Sequence, residues 1–504
     1  MHTRRSFISH AAAGAVGVIG ISCLPALATT SPALRVTGPI QGGRRGWPFG
    51  AYFGDISAIG YVEEEYFLEG VASRYQPLGE LGLDGRWRLE ATRPERYKTR
   101  LLVRRPRRQQ DFNGTVVANW TNVSAGYENS QTYGGYNGYA HVAVSAQPTG
   151  LTGFQSSRLG LLDWDPDRYG SLVIADEALC YDIFTHAARA IGPRRSQSGI
   201  DPMAGLNVRR VIATGASQSG TRLMAYLNGI QPREHAYDGF VPMICAGTAA
   251  DFEGDMAHPD PASVSGRNAV LSEAERTDPQ AALRAAAASR GHSRSVPTLV
   301  RTDLNVPVLA INTETEAFVY FPRRQPDTNR FRYWEIPGAA HAGGFNRGDR
   351  VQQGARDGLP TSRSAALGRS RPSEVDPGGV YDAAITRLTQ WIVSGRPPHS
   401  QPKIEIGGTP AAIRRDAHGN ALGGIRLPEM EVPVATYRGM DDRGSIAGET
   451  VPFTPELIRS LYPSHDVYVR RVAAAAEAAR RSGVLSVRRA AQYVADARAA
   501  RVPA

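Results

Sequence analysis

The sequence has 504 residues, 41% of them hydrophobic, which is enough for one large domain or two smaller ones with a substantial apolar core. Lysine and arginine together number 58 against 48 aspartates and glutamates, so the formal net charge is +10. The arginines are spread along the whole chain and no basic cluster is interleaved with aromatic residues, which argues against nucleic-acid binding.

The N-terminal residues are typical of a twin-arginine export signal. Arg4 and Arg5 precede a weakly apolar, glycine-rich stretch, and the small residues Ala26 and Ala28 stand where a signal peptidase would cut. Residues 1–28 are therefore predicted to be removed, leaving a periplasmic or secreted protein. No other run approaches the roughly 20 apolar residues that span a bilayer, so we expect no stable membrane insertion after cleavage.

Two cysteines follow the predicted signal, Cys180 and Cys245. Both lie in apolar stretches, EALCYDIF and VPMICAG, which favours buried free thiols. Pairing in an oxidising compartment stays open as the alternative.

Strands and helices are predicted in alternation through the middle of the chain. Period-two patterns and apolar runs predict strands over 61–75, 97–106, 114–120, 139–147, 237–247 and 306–316, and a last core strand at the start of the block 330–343. Helical spacing of apolar residues predicts helices over 174–190 and 381–395. This alternation indicates an α/β fold with a mostly parallel sheet that is covered by helices on both faces.

Polar segments separate these elements. Residues 248–305 interrupt the alternation and are expected to form a lid or cap, since loops of that length seldom lack a role. Residues 347–378 predict a loop, and the arginine-rich run 104–111 predicts a solvated turn. We expect one domain over residues 29–400 and a C-terminal extension, 401–504, that packs on its core and ends in two amphipathic helical stretches.

The stretch RRVIATGASQSGTRLMAYL, residues 209–227, predicts a strand, a tight turn and a helix. Such a turn exposes a serine and points the first amides of the helix at a reacting carbonyl oxygen. Because strand and helix are crowded there, the residues two before and two after the serine must be small. Ser217 meets this test with Gly215 and Ser219, whereas Ser219 is followed at that distance by the β-branched Thr221. Ser217 is therefore the predicted nucleophile.

A base and an acid are predicted further along the chain. The base must take the proton of the serine, and His341 lies in a small-residue loop, PGAAHAGG, just after the last predicted core strand. The acid that orients this histidine should follow the strand VPVLAIN, where Glu314 and Glu316 stand in TETE. In extended chain both point the same way, so their spacing leaves both open, with Asp327 as a third choice.

Two backbone donors are expected to face the oxyanion that forms during acyl transfer. The first is the amide of Gln218, directly after the nucleophile. The second should come from the loop TNVSAG after the strand 114–120, where we select Asn122. The sequence has no HExxH motif and no cysteine pair at metal-ligand spacing, so we expect neither metal nor cofactor.

Several blocks of the sequence resemble those of a large family of bacterial, often exported, α/β-hydrolase-domain proteins. The resemblance extends from about residue 55 to 440, over the blocks YVEEEYFLEGVASRY, FNGTVVANWTNVSAG, DPDRYGSL, ATGASQSGTRL, PVLAINTETE, RQPDTNRFRYWEIPGAAHA and GNALGGIRLPEMEVP. It implies an α/β-hydrolase fold and an esterase-like activity with a Ser-His-acid triad. The family usually has Glu where Ala216 stands and Asp where Glu316 stands, and the second correspondence favours Glu316 over Glu314 as the acid.

Taken together, the sequence predicts an exported serine hydrolase that cleaves small-molecule carboxylic esters through an acyl-enzyme. Two alternatives stay open. One is an acyltransferase that uses the same triad with an acceptor other than water, and the other is a non-catalytic binding protein on a hydrolase fold. The natural ester and the oligomeric state are not predicted.

Overall fold

The computed structural model describes residues 34–129, 132, 134–154, 159–195, 199–245, 247–252, 295–343, 348–360, 371–409, 411–441 and 445–503. The predicted export signal and most of the predicted lid, residues 253–294, lie outside the described residues. Both stay predictions, as does the domain boundary near residue 400.

The strands, in chain order, are β1 (Arg35–Thr37), β2 (Tyr61–Pro77), β3 (Leu89–Pro106), β4 (Thr115–Trp120), β5 (Ala140–Val144), β6 (Arg210–Ala216), β7 (Gly239–Met243), β8 (Thr248–Ala250), β9 (Ser295–Pro297), β10 (Val308–Thr313), β11 (Phe331–Ile336), β12 (Ile406–Gly407), β13 (Ala412–Ile413), β14 (Ala435–Arg438) and β15 (Glu449–Pro452).

The α-helices, in chain order, are α1 (Pro148–Thr152), α2 (Leu161–Trp164), α3 (Pro166–Tyr169), α4 (Cys180–Ile191), α5 (Gln218–Ala225), α6 (Gln231–Glu234), α7 (Glu314–Tyr320), α8 (Gly348–Asp357), α9 (Gly378–Ser394), α10 (Pro428–Glu431), α11 (Pro455–Leu461), α12 (His465–Arg481) and α13 (Val487–Ala499).

A central sheet organises the described part of the chain. Nine of its strands are hydrogen-bonded in the order β1-β2-β3-β5-β4-β6-β7-β10-β11. The strands from β5 to β11 in this order run parallel, and β1, β2 and β3 add an antiparallel edge. The predicted mostly parallel sheet is therefore confirmed. Strands β5 and β6 lie on opposite sides of β4, and this reversal of strand order is where α/β sheets bind their ligands, beyond the carboxyl ends of the strands.

Both faces of the sheet are covered, as predicted. Val116 and Ala118 of β4 belong to one apolar cluster with Phe184 of helix α4, whereas Val117 between them belongs to a second cluster. The alternation follows from the two-residue period of a strand. The second cluster includes Leu388 of α9 and, from the C-terminal helices, side chains of α12 and α13: Val472, Ala476, Tyr493 and Ala497. The C-terminal part of the chain thus completes the core on one face.

The predicted lid leaves and re-enters the described structure at one place. Strands β8 and β9, on either side of residues 253–294, pair antiparallel. Helix α5 continues into a π-helical turn, Tyr226–Ile230, in which the buried side chain of Asn228 donates to the hydroxyl of Thr298 and to the carbonyl of Leu299. The chain that follows β9 is therefore hydrogen-bonded to the helical turn that continues α5, the helix after Ser217.

Two of the polar segments that were predicted to be a loop or a turn differ from that prediction. Helix α8 lies within residues 347–378, which were expected to be a loop, and its last residue, Asp357, accepts hydrogen bonds from the indole of Trp47 and the amide of Gly50. Contacts more than 300 positions apart stabilise this helix, so its own polar, glycine-containing sequence does not predict it. Arg104 and Arg105 are buried in β3 and paired with Glu63 and Glu64, so the predicted solvated turn begins only after them.

The two predicted C-terminal helical stretches are confirmed as α12 and α13. Each begins after a serine, Ser464 and Ser486, whose side chain accepts a hydrogen bond from an amide of the first helical turn. Among the described residues, no helix combines the length and apolar character needed to cross a lipid bilayer.

We predict that Glu429 makes the free energy of unfolding depend on pH. Its carboxylate lies against the hydroxyl of Tyr493 in α13, and burial raises its pKa to about 7. Because the folded protein then holds this proton to a higher pH than the unfolded chain, the free energy of unfolding falls as pH rises from about 5 to above 7, by roughly 1–3 kcal/mol. Urea unfolding at several pH values measures the free energy of unfolding of the wild type and of Glu429→Gln, in which position 429 no longer titrates. Unfolding curves that respond identically to pH in both proteins would contradict the prediction.

Candidate active site

Ser217 lies on the turn between β6 and α5 with φ 57° and ψ −122°, a backbone conformation that residues other than glycine rarely adopt. Space around this turn is small. A Cβ added at Gly215 would lie 2.6 Å from the carbonyl oxygen of Ser219, and one at Gly220 would lie 2.8 Å from that of Met243. The requirement for small residues, from which Ser217 was predicted, is therefore a direct consequence of the packing of strand and helix.

The backbone of Ala216, directly before Ser217, is hydrogen-bonded to two side chains. The buried hydroxyl of Ser219 accepts a hydrogen bond from the amide of Ala216 and donates one to its carbonyl, both at 3.0 Å. The side-chain amide of Asn122 donates to the same carbonyl at 2.9 Å. The amide of Ser217 itself donates to the carbonyl of Met243 at 3.0 Å. The hydroxyl of Ser219 is therefore engaged within the strained turn, whereas that of Ser217 is the one directed at His341.

The structure brings Ser217, His341 and Glu316 into one line of hydrogen bonds. The hydroxyl of Ser217 lies 2.8 Å from Nε2 of His341, and Nδ1 of His341 lies 2.7 Å from Oε1 of Glu316. The side chain of His341 is 22% exposed and that of Glu316 is 4% exposed. Ser217 is half-buried, so solvent reaches the serine end of the line, whereas the carboxylate end is enclosed.

The side chains of Glu314 and Glu316 point to different partners because of where the strand ends. Strand β10 stops at Thr313 and helix α7 begins at Glu314, so the assumption of extended chain through TETE was wrong. In a helix, residues two apart point in very different directions. Glu316 points to His341, whereas the carboxylate of Glu314 accepts hydrogen bonds from the amide of Gly338 at 2.6 Å and from Arg415 at 2.8 Å.

The hydrogen bonds of Glu316 keep its buried side chain charged. Burial alone raises the pKa of this carboxyl group, but hydrogen bonds and charge from His341, with those from Thr313, outweigh burial and leave the pKa below its ordinary value. Thr313 contributes both its amide, at 3.0 Å, and its hydroxyl, at 2.5 Å, to Oε2 of Glu316. One carboxylate therefore caps helix α7 and holds the imidazole.

The two predicted oxyanion donors lie beside the serine. The amide of Gln218 is the first of helix α5, and amides of a first helical turn have no partner within their helix. Asn122 follows β4, the neighbour of β6 in the sheet, and its side chain is committed to the carbonyl of Ala216. Any oxyanion contact from Asn122 therefore has to come from its backbone, and this role stays a prediction.

The remaining polar residues considered for the site lie elsewhere. Asp327 precedes β11 at the opposite end of that strand from His341 and accepts a hydrogen bond from the amide of Tyr333. His186 in helix α4 contacts the hydroxyl of Tyr97, and His141 in β5 contacts the carbonyl of Gly135. Burial lowers the pKa of both histidines, in the case of His141 to about 3.

The two cysteines are buried and free, as predicted. Cys245 lies close to the turn that carries Ser217, since a Cβ added at Gly220 would lie 3.0 Å from the Cβ of Cys245. Burial raises the pKa of the Cys245 thiol to about 12, so this group is uncharged at neutral pH.

Sequence reasoning missed the residues that support the line from Ser217 to Glu316. The role of Thr313 could have been found, because Thr-x-x-Glu is the pattern of a helix capping box and predicts a helix start at TETE. Thr315, whose hydroxyl accepts a hydrogen bond from the amide of His341, carried no such local signal.

The serine turn, the hydrogen bonds from Ser217 through His341 to Glu316 and the strand order agree with a match to a family model. The model described as alpha/beta hydrolase domain matches residues 36–495. The chain belongs to this family of α/β hydrolases. The predicted family and fold class are thereby confirmed, and this α/β hydrolase has its serine turn directly after β6, the strand predicted from the pattern of residues 209–227.

Solved structures similar to this α/β hydrolase include several esterases. One is esterase Est22, at 12% identity over 55% of this chain and 73% of that chain, with a TM-score of 0.26. Another is a putative dienelactone hydrolase from Klebsiella pneumoniae subsp. pneumoniae MGH 78578, at 12% identity over 65% and 98%, with a TM-score of 0.27. A third is a glucuronoyl esterase from Solibacter usitatus, at 9% identity over 60% and 81%, with a TM-score of 0.24. No curated protein matches the sequence.

Proposed function

We propose that this α/β hydrolase is a serine esterase that cleaves small-molecule carboxylic esters. The observation that carries the proposal is the continuous line of hydrogen bonds from the hydroxyl of Ser217 through both nitrogens of His341 to Glu316. A serine hydroxyl becomes nucleophilic when a base can take its proton, and the buried carboxylate of Glu316 stabilises the charge that His341 then acquires.

In the first half of the reaction, Oγ of Ser217 bonds to the carbonyl carbon of the ester while Nε2 of His341 takes the hydroxyl proton. The carbonyl oxygen becomes an oxyanion, which accepts a hydrogen bond from the amide of Gln218 and one from the loop after β4, where Asn122 lies. The tetrahedral intermediate then collapses. The bond to the alcohol oxygen breaks, His341 gives its proton to that oxygen, and the acyl group stays on Ser217.

In the second half, water replaces the alcohol. His341 takes a proton from the water as its oxygen bonds to the acyl carbon, and the amide of Gln218 again faces the oxyanion. Collapse of this intermediate breaks the bond to Oγ of Ser217, which recovers its proton from His341. The products are a carboxylic acid and an alcohol, and Ser217 regains its free hydroxyl group.

We predict that Ser217→Ala abolishes ester hydrolysis, whereas Ser219→Ala retains part of it. The panel is short-chain and aryl p-nitrophenyl esters, and release of p-nitrophenol is the measurement. Ser219→Ala loses two hydrogen bonds to Ala216 but no reacting atom, so a fluorophosphonate probe should still label it, at Ser217, as peptide mass spectrometry can verify. A wild-type protein that is inert towards all esters and unlabelled by the probe would make a binding protein the better description.

We predict that Glu316→Gln lowers kcat by roughly 10³- to 10⁴-fold, because a side-chain amide facing Nδ1 of His341 favours the wrong tautomer. Glu314→Gln is the matched comparison, since it removes a neighbouring charge that does not contact the imidazole. Its loss of kcat should stay near tenfold or below. The assignment of the acid is wrong if the larger loss follows Glu314→Gln.

We also propose that the protein is exported, on the basis of Arg4, Arg5 and the weakly apolar stretch that follows them. Replacing both arginines with lysine should retain the full-length chain in the cytoplasm, because twin-arginine export depends on the pair. Fractionation of the producing cells measures this, and an unchanged periplasmic amount in the double variant would refute it.

A further inference from the structure

Residues 412–441 and 445–448, which we call the C-terminal segment, contact the chain next to the proposed acid Glu316 and on both sides of the proposed base His341. We propose that this segment positions His341 and Glu316 for catalysis, with Thr315 as the positioning residue through which it acts. The inference rests on the esterase function proposed above. It adds to that function a requirement for a segment that comes later in the chain and supplies no reacting atom.

Thr315 joins the loop that carries His341, residues 337–343 and here called the histidine loop, to the C-terminal segment. Its hydroxyl accepts a hydrogen bond from the amide of His341 at 3.0 Å and donates one to the carbonyl of Gly439. The approach of Gly439 is so close that an added Cβ would lie 2.5 Å from Cβ of Glu314 and 2.7 Å from the amide of Thr315. Only glycine at position 439 therefore lets this carbonyl reach the hydroxyl without displacing helix α7.

A second connection runs through Glu314. Its carboxylate accepts hydrogen bonds from the amide of Gly338, in the histidine loop, and from Arg415 in the C-terminal segment. Its amide donates to the carbonyl of Ala339 at 3.1 Å. This side chain, 1% exposed, is a charge that must be paired, and Arg415 supplies the cation.

A third connection lies just beyond the histidine. The amide of Ala342 donates to the carbonyl of Ile446 at 2.9 Å. At Gly448 an added Cβ would come within 2.8 Å of Cβ of Ala340. The main chain on both sides of His341 is therefore packed against or bonded to residues of the C-terminal segment.

These connections matter because the base and the acid belong to different parts of the chain. Glu316 is in helix α7, and His341 is in the loop that follows β11, so the 2.7 Å contact between them depends on how these two segments lie against each other. A displacement of about 1 Å in such a contact can lower a rate by about 100-fold. Thr315 and Glu314 connect helix α7 to the histidine loop by hydrogen bonds. In turn, Thr315 is hydrogen-bonded to Gly439, and Glu314 is paired with Arg415.

The test compares Thr315→Val, which keeps the shape and removes both hydrogen bonds, with Thr315→Ser, which restores the hydroxyl. The matched control is Thr436→Val, which removes a threonine-to-carbonyl hydrogen bond, to His418, within the same segment but away from the histidine loop. We expect Thr315→Val to lower kcat for a p-nitrophenyl ester about 10- to 100-fold with little change in KM, since substrate binding does not require an aligned imidazole. Thr315→Ser should recover most of this loss, and Thr436→Val should lower kcat less than about twofold.

A second variant, Arg415→Met, changes a partly exposed side chain and tests the same idea if Thr315→Val does not fold. It should also lower kcat at unchanged KM and slow labelling by a fluorophosphonate. An active wild type whose kcat survives both Thr315→Val and Arg415→Met would overturn this inference and leave the esterase proposal intact. A wild type that neither hydrolyses esters nor reacts with the probe would overturn the esterase proposal and this inference with it.

Discussion

Burying the carboxylate of Glu316 costs free energy that hydrogen bonds must offset, and the site is built around those bonds. Two donors come from Thr313, where strand β10 ends, and the third is the imidazole of His341. The same bonds that keep this carboxylate charged therefore fix the start of helix α7 and the direction of the imidazole. Since Nε2 of that ring reaches Ser217, the strained turn after β6 is joined to the far side of the parallel sheet.

Much of the site follows from local rules that sequence alone can supply. Small residues at positions 215 and 219 select Ser217 because the packing of a strand against a helix leaves no room for larger ones, and the close approach of the Ser219 carbonyl to Gly215 is that restriction in the folded protein. His341 could be predicted because it lies in a small-residue loop after the last strand. These rules depend on residues that are neighbours in the chain.

The parts that sequence reasoning left open or missed depend on where elements end and on distant contacts. Spacing alone could not separate Glu314 from Glu316 while the strand was assumed to continue, although the Thr-x-x-Glu spacing from Thr313 already favours a helix start there. Helix α8 is stabilised by residues far along the chain, and the ion pair of Arg104 with Glu63 joins two residues that are far apart in the chain. No local pattern predicts that Gly439 contacts Thr315, because a glycine in a loop has many possible reasons.

The contact between Thr315 and Gly439 also bears on how the protein is made. Synthesis proceeds from the N-terminus, so Ser217, Glu316 and His341 all leave the ribosome before Gly439 does. Until then the hydroxyl of Thr315 lacks its C-terminal acceptor and Glu314 lacks the guanidinium of Arg415. A nascent chain therefore carries every proposed reacting group before the contacts that position them can form, and under the two proposals its capacity to cleave esters arises only after Gly439 has been synthesised and has left the ribosome.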